Sequence, residues 1–322
     1  MLTAITSNYS VANIDIGSVK SSSASFAGWH CASGITNLNI YPDGSLYGNA
    51  CRSGGSYGNI YGEYTLPISP IICDVPTCYC GGDIKIPKAK NKIALDAIAL
   101  IPHKSYKRIA SIEEVIALKG WDSQFTIDWN LGKRCNYSCS YCPSFVHDNS
   151  SPHLPLQTFV TAFDKLYEHV HHHKSIIISF LGGEPTLNPD YNRIIAHSQR
   201  HNTYIVTTTN GTADISKLKL YKAAGALNIS IHQEYVNIPK MVSKITELIN
   251  HSGKLSISYM LKPGGLEALK VFLIDCPPRN DNFIIEICPL VERSISNKIL
   301  NYTPEEVQWI NNHTIKYTHF AI

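Results

Sequence analysis

No run of about 20 consecutive apolar residues occurs in the 322-residue chain, so the sequence offers no candidate for a membrane-spanning helix. Charge is scarce as well. Only 16% of residues are Asp, Glu, Lys or Arg, and 28 basic against 25 acidic side chains leave a formal net charge of +3. So small an excess makes no case for a nucleic-acid partner. A hydrophobic content of 44% argues against wholesale disorder. The opening MLTAITSNYSVANIDIGSVK lacks a basic stretch followed by an apolar block, so it does not read as a secretory signal, and a cytoplasmic setting is expected. Internal repeats and long low-complexity tracts are also missing.

Cysteine is what the chain has in excess, with ten residues. Five stand in the first 80 positions: Cys31, Cys51, Cys73, Cys78 and Cys80. Three more, Cys135, Cys139 and Cys142, lie within eight residues. With no export signal, clustering of this kind points to bound metal rather than to a disulfide framework. Cys276 and Cys288 come late and read as buried structural residues.

The composition changes near residues 84–92. Before it, Gly, Ser, Tyr and Cys dominate, with turn signals at Asp43-Gly44, Gly54-Gly55 and Gly81-Gly82. This part has too few aliphatic residues for a strong core of its own and needs a metal or a neighbour to hold it. The run IKIPKAKNK reads as a linker or edge strand. In SIEE, Ser111 and Glu114 have the spacing of a capping box opening a short helix.

From residue 121 a repeating pattern takes over. Short β-branched, apolar runs at Phe125–Trp129, Ile176–Leu181, Tyr204–Thr208, Leu227–Ile231, Leu255–Met260 and Phe283–Ile287 read as strands. Helical stretches are expected between them, near 156–170, 191–201, 214–224, 238–251 and 266–274. A last helix is expected near 303–312, opened by Thr303-Pro304-Glu305-Glu306. Alternation of this kind implies an α/β fold built from parallel βα units, with an active site at the C-terminal ends of the strands. The cluster EHVHHHK (168–174) reads as the solvated end of a helix.

Immediately after the first of these strands comes WNLGKRCNYSCSYCPSF, with the spacing Cys135-x3-Cys139-x2-Cys142. Three thiolates in one loop can each hold an iron of a [4Fe–4S] cluster and leave the fourth iron open for an exogenous ligand. An open metal position marks a catalytic rather than a structural site. A zinc knuckle with His147 as fourth ligand is the alternative. The second strand ends in FLGGEPTLNP. There, two glycines allow close approach to the backbone and a carboxylate suits an ammonium. The third strand ends in TTTNGT. In the fourth, SISIHQE, Ser230 and His232 alternate with Ile229 and Ile231 and so share one face.

The cysteine spacing, with Tyr141 before the last cysteine, followed one strand later by Gly182-Gly183-Glu184-Pro185, resembles the radical S-adenosylmethionine (SAM) superfamily. The resemblance covers roughly residues 121–290. It implies a partial (β/α)6 TIM-like barrel and a [4Fe–4S] cluster on Cys135, Cys139 and Cys142. It also implies SAM bound near Tyr141, Gly182, Gly183, Glu184, Pro185, Thr209, Asn210, Ser230 and His232. In that family the cluster cleaves SAM reductively, and a 5′-deoxyadenosyl radical takes hydrogen from a substrate. Gly264-Gly265, after the fifth strand, resembles a Gly-rich motif near the adenine and reads equally as a plain turn.

The first five cysteines resemble the start of the SPASM or twitch domains, which bind auxiliary [4Fe–4S] clusters, although those domains normally follow the barrel and here the segment precedes it. One cluster needs four ligands, so one cysteine should be spare, and zinc stays open as an alternative. The expected organisation is a Cys-rich β/loop domain over 1–90, a linker or helical segment over 91–120, and the barrel with its C-terminal helix over 121–322. The expected activity is that of an oxidoreductase-type radical SAM enzyme acting on a peptide or protein side chain, with a nucleoside, sugar or other small molecule as the alternative. A reductant such as flavodoxin or ferredoxin is expected as partner. From a different class, a non-catalytic metal-binding protein and an electron-transfer protein stay open.

Overall fold

The computed structural model describes residues 2–6, 11–14, 26–75, 78, 83, 86–90, 114–118, 124–142, 147–290 and 301–314. The strands before the repeating part are β1 (Leu2–Thr6), β2 (Val11–Ile14), β3 (His30–Cys31), β4 (Asn37–Ile40), β5 (Leu46–Tyr47), β6 (Ile71–Ile72), β7 (Lys88–Ala89) and β8 (Glu114–Leu118). After them come β9 (Gln124–Asn130), β10 (Ser175–Leu181), β11 (Thr203–Thr209), β12 (Gly225–His232), β13 (Lys254–Leu261) and β14 (Phe283–Pro289). All six strands expected from the β-branched runs are present.

β9 to β14 lie side by side in chain order, and every neighbouring pair is parallel. The fold is α/β with a parallel sheet. The sheet continues past β9 into the cysteine-rich part: β4 adds parallel to β9, with Leu38 opposite Ile127, and β5 adds antiparallel to β4. The shortage of aliphatic residues before residue 90 is explained by this addition. Leu38, Ile40, Leu46 and Ile60 bury themselves in the same core as Ile127 and Trp129, so no separate core is required.

The helices expected between the strands form as α1 (Leu156–Val170), α2 (Tyr191–Ser198), α3 (Ile215–Ala223), α4 (Ile238–Ile249) and α5 (Leu266–Asp275), followed by α6 (Pro304–Thr314). Each turns one stripe inward. On α1 the stripe is Phe159, Ala162, Phe163, Leu166 and Val170, the i, i+3, i+4, i+7 spacing of an amphipathic helix. It meets Phe125, Ile127 and Trp129 of β9 and Ile176, Ile178 and Phe180 of β10 in one core. Each such side chain stabilises the fold by about 1.5–3 kcal/mol relative to exposure. The opposite strand face is half-buried and mostly polar, with Thr126, Asp128 and Asn130 on β9 and Asn228, Ser230 and His232 on β12. α6 begins with a reciprocal capping box. Glu306 N–H donates to Thr303 Oγ1 (3.2 Å), and Thr303 N–H donates to the Glu306 carboxylate (2.8 Å). Among the described residues, no helix is long and apolar enough to cross a membrane.

A second sheet has the order β2-β1-β8-β7-β3-β6. Two expectations are corrected here. Glu114 does not sit in a helix: Glu114–Leu118 is β8, paired with β1 on one side and β7 on the other. The adjacent β-branched Val115 and Ile116 fit a pleated strand better than a helix turn. Ser111 lies outside the described residues. The expected linker or edge strand is likewise an interior one, because β7 pairs with both β3 and β8.

The histidine cluster behaves as expected at its outer members. His171 caps α1 and, like His172, is exposed. His173 differs. Its ring lies 5.0 Å from that of Phe125, and burial, aided by neighbouring His172, pushes its pKa down to about 4. A folded-state pKa below the unfolded value means stability present near pH 7 and lost as pH falls from about 6.5 toward 4. With allowance for the solvent-facing edge of the ring, the loss by pH 5 is about 1 kcal/mol. Urea unfolding at pH 7 and pH 5 should show His173→Gln losing less stability over that interval than the parent.

Candidate functional site

The loop after β9 carries Cys135, Cys139 and Cys142. Its entrance is fixed by a short return of the chain: Cys135 N–H donates to Asp148 O (2.7 Å), and Asp148 N–H donates to Lys133 O (2.9 Å). Within the loop, Tyr137 N–H donates to Cys135 Sγ (3.4 Å) and Cys142 N–H to Cys139 O (3.0 Å). Cys139 is buried, while Cys135 and Cys142 are half-buried. Burial pushes the Cys139 thiol up to about 11, and the nearby thiols of Cys142 and Cys135 add to the effect. An iron core bound to this loop would favour the thiolate forms of the three cysteines. Among the described residues, no group of three or more His, Cys, Asp or Glu is placed to hold a metal ion.

The loop after β10 locks onto the cysteine loop. Gly183 N–H donates to Gly132 O (2.9 Å), and Glu184 N–H donates to Arg134 O (2.8 Å). A Cβ on Gly183 would stand 2.1 Å from Lys133 O, and one on Gly182 2.6 Å from Gly132 O. Gly182 also has φ +144°, which L side chains rarely adopt. The two glycines thus permit a close approach of the protein's own cysteine loop. Pro185 follows as the first residue of a 3-10 turn.

Glu184 is 2% exposed, and its carboxylate is hydrogen-bonded within the protein. It accepts from Thr186 N–H (3.1 Å), Thr186 Oγ1 (2.5 Å), Thr209 Oγ1 (2.7 Å) and Asn210 N–H (2.6 Å). Burial raises its pKa and these four donors oppose the rise. The carboxylate ties the end of β10 to the end of β11. Asn210 extends the chain of contacts: its side chain donates to Asn136 Oδ1 (2.8 Å), and Asn136 donates to Thr212 Oγ1 (3.1 Å).

The end of β12 closes the other side. Tyr141 Oη and His232 Nδ1 are 2.7 Å apart, and burial pushes the His232 pKa down to about 4. Ser230 shares the half-buried strand face with His232, as the alternation implies. Four side chains beyond those expected complete the arrangement. Ser140 donates to both oxygens of Glu234 (2.8 and 2.5 Å). Tyr235 donates to Ser138 O (2.8 Å) and stacks on Tyr137 at 4.7 Å. The signal for Glu234 and Tyr235 was the HQEY run leaving a strand end, but which loop it would meet depends on strand order. Gly264-Gly265 is a turn. Gly264 has φ +77°, and its N–H donates to Glu306 of α6 (2.7 Å). Cys276 and Cys288 are buried.

Four of the five early cysteines also come together. Cys31, Cys51, Cys73 and Cys78 line one small pocket, with Asp83 and Lys88 in its wall. Cys80 lies outside the described residues.

Residues 129–256, from β9 into β13, match the family described as the Radical SAM superfamily. That family implies SAM and a [4Fe–4S] cluster. The matched span takes in the cysteine loop, Gly182–Pro185, Thr209–Asn210 and the end of β12. A solved structure described as native anSMEcpe with bound AdoMet is similar at 17% identity, with a TM-score of 0.41 over 53% of this chain and 53% of that one. The chain thus spans about half the length of that protein. No curated protein matches the sequence. A radical SAM domain is thus present over residues 129–256.

Proposed function

We propose that this enzyme cleaves SAM reductively at a [4Fe–4S] cluster held by Cys135, Cys139 and Cys142. The observation that carries the reading is the convergence of three thiols on one loop, at the C-terminal end of β9, clamped by the loops that follow β10 and β12. When bound, the cluster and SAM together supply a 5′-deoxyadenosyl radical that takes hydrogen from a substrate. Three cysteines leave one iron without a protein ligand, the position that SAM would occupy.

The chain's own residues bind and position. Glu184 holds the Gly182–Pro185 loop against Thr209 and Asn210, so its part in SAM binding is to shape the loop rather than to offer a free carboxylate. Tyr141 and His232 form one hydrogen-bonded wall beside the cluster loop, and Ser230 continues the polar strand face toward the sheet interior. In this reading the parallel sheet curls into a partial (β/α)6 barrel around that face, which excludes bulk water from the reacting atoms. The Cys-rich segment before residue 91 forms a SPASM- or twitch-like unit with an auxiliary cluster. That likeness favours a peptide or protein side chain as substrate over a nucleoside, sugar or other small molecule. Electrons come from an external reductant such as flavodoxin or ferredoxin, which suits the cytoplasm.

Anaerobic reconstitution with iron and sulfide, followed by SAM and dithionite, tests the reading. Liquid chromatography with mass detection should show 5′-deoxyadenosine and methionine formed together, dependent on reductant. Neither product from iron-loaded protein, with candidate peptides present or absent, would end the proposal.

A further inference from the structure

We infer that Glu234 is a positioning residue for the Cys135–Cys142 loop and that its carboxylate, with the paired ammonium of Lys262, sets how readily a cluster on that loop accepts an electron. The inference rests on the proposed [4Fe–4S] site and assigns to it an electrostatic control supplied by the loops after β12 and β13.

The three residues after His232 form a bracket between two neighbouring loops. Toward β13, Gln233 Nε2 donates to Tyr259 Oη (3.0 Å) and to Gly265 O (2.9 Å), and Gln233 Oε1 accepts from Lys262 N–H (3.0 Å). The turn after β13 is itself tied to α6 through Gly264 N–H and Glu306. Toward the cysteine loop, Tyr235 Oη donates to Ser138 O, and Ser140 donates from both N–H and Oγ to Glu234. Ser138 and Ser140 flank Cys139, the buried member of the trio, so the backbone of the middle cysteine is held on both sides.

Anchoring alone does not require a charge, since Tyr235 holds Ser138 with a neutral hydroxyl. Glu234 holds Ser140 with a carboxylate. The Ser140 hydroxyl keeps that carboxyl below the usual range against a small opposing effect of burial, and the Ser140 N–H and Lys262 help. Glu234 is therefore ionised near neutral pH. Its counter-charge is Lys262, whose Nζ lies 3.6 Å away on a side chain 42% exposed, against 19% for Glu234. Solvent screens the ammonium more than the carboxylate, and the carboxylate is the group that touches the loop, so its charge outweighs that of Lys262 there. A negative charge beside an iron–sulfur cluster disfavours reduction, because net charge and hydrogen bonds to the sulfurs set its potential. Both Ser140 donors are also directed to Glu234 rather than to cysteine sulfur. A cluster that is harder to reduce is a stronger one-electron donor once reduced, which suits the reductive cleavage proposed for SAM.

The test uses the full chain, reconstituted anaerobically and titrated at low ionic strength without SAM. It follows by EPR the midpoint potential of the signal that is absent when Cys135, Cys139 and Cys142 are all replaced by alanine. Glu234→Gln should keep the iron and move that potential to more positive values. Lys262→Met should keep the iron and move it to more negative values, and added salt should shrink both shifts. Glu234→Asp, which retains the charge, should lie nearer the parent than Glu234→Gln. Shifts of opposite sign are what a charge effect requires and what a merely structural anchor would not produce. Unmoved potentials, or shifts of the same sign in Glu234→Gln and Lys262→Met, would overturn the inference. If Glu234→Gln loses iron, Lys262→Met decides, because loss of its positive charge must still lower the potential. A parent chain without the signal removes the proposed cluster site and the inference with it, whereas a parent signal with unmoved potentials removes the inference alone.

Discussion

The variant with Cys135, Cys139 and Cys142 all changed to alanine is expected to form no 5′-deoxyadenosine above a protein-free control. The parent, loaded and assayed in parallel, should form it under the same reductant. The expected effect is total because, in the proposed reading, the three thiols together anchor the cluster. Cys276 and Cys288 are buried. Deoxyadenosine formation that persists in the variant at the parent's rate would remove this loop from the active site.

Gly183→Ala is the second large effect. The new Cβ would stand 2.1 Å from Lys133 O and 2.5 Å from Arg134 O, and both are backbone atoms that cannot rotate away. The two loops must separate, which strains the Gly183 N–H to Gly132 O and Glu184 N–H to Arg134 O hydrogen bonds. Overpacking of this kind costs about 1–3 kcal/mol. Catalysis should suffer more than stability, because a displacement of about 1 Å between cluster loop and SAM loop can cost roughly 10²-fold in rate. The expected result is near-parental iron content, a melting point lowered by several degrees and deoxyadenosine formation reduced by about two orders of magnitude. A variant that loses iron instead would show that the clamp is needed for cluster assembly. Parental activity would show that the contact has no role in positioning.

The second prediction depends on a motif whose contacts within the protein are not visible in the sequence. GGEP looks like a ligand-binding motif because glycine exposes backbone and glutamate carries charge. Folded, the glycines make room for Gly132 and Lys133, and the glutamate satisfies Thr186, Thr209 and Asn210. Its four hydrogen bonds, from three residues, join two strand ends, so removing it loosens the Gly182–Pro185 loop and the Asn210 network together.

Local pattern alone determined the six parallel strands, the helices between them and the cysteine trio. A strand's alternation and a helix's stripe are written within about ten residues, and the trio fits in a single loop. The Thr303–Glu306 capping box was legible for the same reason, since both partners belong to one helix turn. Strand order was decided only by tertiary structure. Nothing near Asn37–Ile40 announces that it extends the sheet beside β9, because the pairing joins residues about 90 positions apart. The same holds for Glu114–Leu118, where a local capping signal gave way to partners on both sides. Which early cysteines share a cavity was equally invisible. Cys31 and Lys88 are brought face to face only by antiparallel pairing of β3 with β7, and burial then forces that ammonium to seek compensation inside the protein rather than in water.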